Sequence, residues 1–133
     1  MNHPNENHVS GRADAQVPLT AALAALLALS LFMAVAALAG IVPSPPHDKL
    51  PFVAANIALA VAALVVVRGR HRAAPWVALL AGLSYLPSVG PHKLLTEVHA
   101  AALTPVIAVG SACVLVIAWS AWRLWRSRRA RWV

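Results

Sequence analysis

The stretch LTAALAALLALSLFMAVAALAGIV, residues 19–42, decides the fold class: it runs 24 residues without a charged side chain. At a rise of about 1.5 Å per residue, a helix of that length exceeds a hydrocarbon core of about 30 Å. A secretory leader would carry a shorter apolar region, roughly 7–15 residues, behind a clearly basic segment. The residues ahead of it are mixed instead, with His3, Glu6, His8, Arg12 and Asp14. A permanent first membrane span is therefore expected, and residues 1–18 read as a polar, mobile cytoplasmic tail without apolar periodicity.

On the C-terminal side, Pro43-Ser44-Pro45-Pro46 is expected to end that helix, because proline cannot continue it and restrains the residue before it. Three further apolar runs follow, and with the first they give spans at 19–42, 50–67, 73–89 and 91–122, the last opening on Pro91. The fold class expected is all-α integral membrane: a four-helix transmembrane domain over 19–125, with a basic tail at 126–133. The second and third spans are short enough to need Lys49 and Arg68 to snorkel to the interfaces; a half-inserted hairpin is the alternative for that pair. Whole-chain composition agrees, with 60% hydrophobic and 11% charged residues and a mean hydropathy of +0.71. Soluble domains run at about 45–50% apolar and about 25% charged. The single cysteine, Cys113, excludes an intrachain disulfide or a thiolate cluster.

The net charge of +7 acquires its meaning from position. Four spans place both tails and the middle loop on one side. That side then holds nine arginines, at 12, 68, 70, 72, 123, 126, 128, 129 and 131, against Lys49 and Lys93 on the other. The positive-inside rule makes the arginine side cytoplasmic, with both termini there, and an inner membrane the location. Arg68, Arg70, Arg72, Arg123, Arg126, Arg128, Arg129 and Arg131 thus read as topology or lipid-headgroup anchors, interleaved with Trp76, Trp119, Trp122 and Trp125 at headgroup level. No nucleic-acid partner is expected; the partners expected are the bilayer and other membrane subunits or further copies of this chain.

Small-xxx-small spacings, which allow close helix approach in lipid, occur at Ala36/Gly40, Ala54/Ala58/Ala62, Ala78/Gly82 and Ala108/Ala112. Pro105 after Thr104 predicts a kink in the fourth helix, and Ser84 and Tyr85 read as packing residues and an aromatic anchor. The two non-cytoplasmic loops resemble each other: Pro43-Ser44, Pro46-His47 and Lys49-Leu50 in one, Pro87-Ser88, Pro91-His92 and Lys93-Leu94 in the other. The chain therefore reads as two tandem helical hairpins, an internal repeat about an axis along the membrane normal.

The repeat collects the candidate site residues at the outer mouth. His47 and His92 hold matching positions; His99 and Thr96 continue the stripe of His92 along one helix face; Glu97 can pair with Lys93; and Asn56 is a polar residue at depth in the second span. His47, His92, His99, Glu97, Asn56, Lys49 and Lys93 could form a substrate or ion site, with His47, His92 and His99 as metal ligands. The plainer alternative makes the histidines helix-terminal interfacial residues, the lysines topology anchors and Asn56 an interhelical hydrogen bond. Nucleophile elbows, zinc-protease pairs, CxxC pairs and phosphate-binding glycine loops are absent from the sequence. The leading expectation is a non-catalytic accessory or partner-binding subunit. The alternatives are a transporter or channel for a metal ion, proton or small solute, and a membrane protein holding haem or a divalent metal.

Overall fold

A computed structural model describes residues 6–41, 45–90, 95 and 100–129. Among these the chain is all-helical: α1 (Glu6–Leu38), a single 3-10 turn (His47–Lys49), α2 (Leu50–Arg68), α3 (Ala74–Val89) and α4 (Ala100–Arg129). Three helices are long and apolar enough to cross a membrane, over Ala15–Leu38, His47–Arg68 and Leu103–Ser127. The 16-residue α3 is shorter, about 24 Å at 1.5 Å per residue.

The helices form a ring in chain order. α1 packs on α2 and α4, α3 packs on α2 and α4, and the diagonal pair α1 and α3 barely meet. Cross-links between neighbours show that they run antiparallel. Gln16 near the start of α1 donates its amide N–H to the Val67 carbonyl at the end of α2, at 2.7 Å. A Cβ on Gly82 would meet Ile117, and one on Gly110 would meet Val89, so α3 and α4 run in opposite directions past each other.

Several helix contacts are made through alanine while large apolar side chains face outward, unlike a water-soluble bundle. Ala60, Ala63, Ala78, Ala81 and Ala121 are fully buried, while Phe32, Val35, Leu38, Val65 and Leu115 are each more than 60% exposed. In water, burying leucine and phenylalanine would drive association; in lipid it gains little, and close backbone approach decides the contact.

Both ends of α1 differ from expectation. It begins at Glu6, inside the stretch expected as a mobile tail, and Ala15 is only 2% exposed. The Gln16 bond ties this first part of α1 to the end of α2 by supplying a donor to a terminal carbonyl there, and α1 continues through Pro18. At the other end the prolines at 43, 45 and 46 do not stop the helix. Gly40 does so, at φ +67°, with Ile41 N–H on the Ala36 carbonyl (2.9 Å) and Gly40 N–H on the Ala37 carbonyl (3.3 Å). This is a Schellman closure, whose left-handed residue glycine adopts without steric cost.

α2 and α3 match their expected spans to within a residue or so, each with a proline in its first turn where the missing N–H costs nothing. α4 runs unbroken through Pro105. Its expected opening at Pro91 and residues 91–94 of the second loop lie outside the described residues, while Pro87, Ser88 and Val89 of that loop form the last turn of α3.

The small-residue faces are partly as expected. Ala78 and Gly82 are buried on α3, with Gly82 against Ile117 of α4, and Ala36 is buried on α1. Gly40, Ala54, Ala58, Ala62, Ala108 and Ala112 are exposed instead. The inward faces of α2 and α4 are Asn56, Ala60, Ala63, Leu64 and Val67 on the one and Ile107, Gly110, Ile117, Ser120, Ala121 and Leu124 on the other. An alanine-rich helix carries such spacings on several faces, and the bulk and polarity of the neighbours choose among them.

Candidate functional site

The two ends of the bundle hold different chemistry. At the end where α2 begins, His47, Asp48 and Lys49 occupy one 3-10 turn and all three are exposed. Lys49 Nζ lies 3.3 Å from Asp48 Oδ2, with both side chains more than 60% exposed. In water or at a headgroup layer such a pair contributes little. His92, Lys93, Thr96, Glu97 and His99 lie outside the described residues. Among the described residues no three His, Cys, Asp or Glu side chains converge on a common point.

Asn56 stands apart from the exposed turn of His47. It is 4% exposed, on the inner face of α2, at the level of a small polar layer inside the bundle. There Ser30 Oγ of α1 donates to Tyr85 Oη of α3 at 2.9 Å, and Tyr85 Oη donates to the backbone carbonyl of Asn56 at 3.2 Å. Three helices are thus tied at one level. The carbonyl can accept this second bond beside its helical one because it has two lone pairs. Tyr85 is 2% exposed, so it is a core residue and not the interfacial anchor its position near a span end suggested.

Serines reinforce the same end. Ser111 Oγ of α4 donates to the Val89 carbonyl at 2.9 Å, satisfying a terminal carbonyl of α3 from the neighbouring helix. Ser84 is turned to its own helix, on the Ala81 carbonyl at 2.7 Å. Asn56 is the member of the layer that sequence singles out. Ser30 and Tyr85 carry only the signal of being polar within otherwise apolar runs, and their mutual contact depends on how α1 and α3 are rotated.

At the opposite end the arginines gather. Arg68 ends α2, Arg70 and Arg72 lie in the α2–α3 loop, Arg123 and Arg126 are on the last turns of α4, and all five are exposed. Arg128 and Arg129 continue α4, while Arg131 lies outside the described residues. The tryptophans share this end. Trp76, Trp119 and Trp122 are exposed and Trp125 is half-buried. The rings of Trp119 and Trp122 stand 5.3 Å apart at 50°, and the Arg126 guanidinium lies over Trp122, 5.0 Å from the ring centre. A groove of about 230 Å³ opens between α3 and α4, lined by Pro75, Trp76, Leu79, Ala118, Ala121, Trp122 and Trp125. Ser120 is buried nearby on α4, and its hydroxyl has no hydrogen-bond partner among the described residues.

No protein-family model matches this chain, and comparison with curated proteins and with solved structures finds no similar one.

Proposed function

We propose that this chain is a four-span inner-membrane protein that works through its helix faces, as a non-catalytic accessory or partner-binding subunit or as a homo-oligomer. One observation carries the reading: the small-residue ridges of α2 (Ala54, Ala58, Ala62) and α4 (Ala108, Ala112) point outward. The bundle's own contacts use other faces, so these ridges are left for a helix from outside. In lipid a ridge of alanines lets a second backbone come close, and the van der Waals contact so gained is what drives association. The interior supports the same reading, since Tyr85, Leu19, Leu23, Leu26 and Ile117 are fully buried and Ser30 and Tyr85 bond to each other, which leaves little polar surface inside.

Under this proposal α3 completes the fourth crossing with help from flanking arginines. The arginine end is cytoplasmic and carries both termini. The bilayer and other membrane helices are the partners, and nucleic acid is not.

The test is association within a bilayer. Ala58→Ile and Ala108→Ile place bulk on exposed ridges, so the fold should stay intact. Energy transfer between labelled copies, or crosslinking to neighbours in native membranes, should fall about tenfold for a loss of roughly 1.4 kcal/mol of helix packing. Unchanged association in both variants removes the proposal. Flux of protons or divalent cations by the purified chain in proteoliposomes would replace it with the transporter reading; a stoichiometric metal or haem would replace it with the cofactor reading.

A further inference from the structure

The groove between α3 and α4 is a bounded cleft in the apolar surface at the arginine end. Its floor is low: Pro75 and Ala121 are buried, and Ala118 adds only a methyl group. Its sides are high, with Trp76 63% and Trp122 42% exposed on either hand. It lies at the arginine end, and Arg126 is stacked on one of its own walls, Trp122. From there it runs toward mid-bundle along Leu79 and Ala118.

Lining and charge select the occupant. The groove, about 230 Å³, is lined by proline, alanine, leucine and tryptophan, a surface along which a run of methylenes can lie. A guanidinium over a ring face still presents N–H donors at its edge, the geometry in which arginine takes a phosphate. Arg123 is exposed three residues before Arg126 on the same helix, adding a second positive charge at this end.

Resting on the membrane reading above, we infer that this groove is a discrete site for one anionic phospholipid. An acyl chain lies on Ala118 and Ala121 between Trp76 and Trp122, and the phosphate meets Arg126. The site differs from general headgroup attraction because the chain-binding cleft and the arginine belong to one structure, so selectivity and cleft shape are coupled.

The experiment uses the full chain reconstituted in phosphatidylcholine vesicles, with brominated phosphatidylglycerol or brominated phosphatidylcholine titrated in as quenchers of tryptophan fluorescence. Quenching by the anionic lipid should saturate at a low mole fraction, with a preference of about fivefold per arginine engaged. Arg126→Gln should lose about that factor. Ala118→Leu, which fills the cleft at an exposed position, should weaken quenching by both lipids, whereas Val109→Phe, at an exposed position elsewhere on α4, should leave it unchanged. Equal quenching by the two lipids in the wild-type protein overturns the inference, as does indifference to both Arg126→Gln and Ala118→Leu. A change of oligomeric state in Ala118→Leu without lipid preference assigns the groove to a second copy and overturns it too. Failure of the protein to stay with the vesicles after an alkaline wash would instead remove the membrane reading, so the two failures are distinguishable.

Discussion

Two buried serines mark the difference between the ends of the bundle. Ser30, toward the end where α2 begins, is 7% exposed and bonds Tyr85, which in turn bonds the Asn56 carbonyl. Ser120, toward the arginine end, is 1% exposed and its hydroxyl meets no acceptor among the described residues. The same residue type is a link between three helices at one end and an unsatisfied group at the other. The ends are also organised differently around them. One is locked internally by hydrogen bonds between helices, and the other is faced externally by arginine and tryptophan. A hydroxyl between apolar helices stabilises only where a facing helix brings a partner, and here α3 brings Tyr85 to one serine alone.

A similar contrast holds at the helix ends. α1 closes at Gly40 (φ +67°), and α2 closes at Arg70 (φ +54°), with His71 N–H on the Val66 carbonyl and Arg70 N–H on the Val67 carbonyl. The hydrogen-bond pattern is the same, yet one left-handed position is glycine and the other a side chain for which that backbone is costly. The α2–α3 loop holds arginine there in spite of the backbone.

The largest effect should come from the packing of α3 on α4 near the locked end. A Cβ on Gly110 would stand 2.6 Å from Val89 Cβ, a contact that requires the helices to shift, while one on Gly82 would stand 3.3 Å from Ile117 Cγ2. Gly110→Ala should destabilise by about 1–3 kcal/mol, as overpacking does. Gly82→Ala should cost much less, both read as the midpoint of denaturing-detergent unfolding in mixed micelles. Equal effects would show that the locked end is no tighter than the middle.

The next effect compares the two closures. Gly40→Ala meets no neighbouring atom but carries the left-handed penalty of about 1–2 kcal/mol. Arg70→Gly relieves the same strain and should raise the unfolding midpoint slightly while weakening orientation, read by protease or cysteine accessibility of the two ends. A destabilised Arg70→Gly would mean that the arginine side chain's contacts outweigh its backbone.

The smallest effect separates the serines. Ser30→Ala should cost about 0.6 kcal/mol, the average for a hydrogen bond between membrane helices. Ser120→Ala should be neutral or stabilising in the same assay, because it removes an unpaired buried hydroxyl. Equal losses would place a hidden acceptor beside Ser120.

Much of this was legible in residue order. The charge-free runs locate the spans, since hydrocarbon excludes charge and 1.5 Å per residue sets the length. The bounds of α2 and α3 follow from Leu50–Arg68 and Ala74–Val89, where charge and proline coincide with the helix ends. The end of α1 was misleading, because three prolines lie just beyond a glycine that closes the helix first. The site was less legible: Asn56 is conspicuous as an amide in an apolar run, but nothing along the chain links it to Ser30 or Tyr85.

Sequence by itself therefore determined that this is a helical protein of membrane character, because solvation of charge and helix length are properties of residues in order. Only the tertiary structure decided which faces meet. In a chain so rich in alanine, several faces of each helix could pack equally closely. Rotation is chosen by neighbours: Tyr85 against Ser30 and Asn56, and Gly110 against Val89. That choice turns Ala54, Ala58, Ala62, Ala108 and Ala112 outward and opens the groove beneath Trp76 and Trp122.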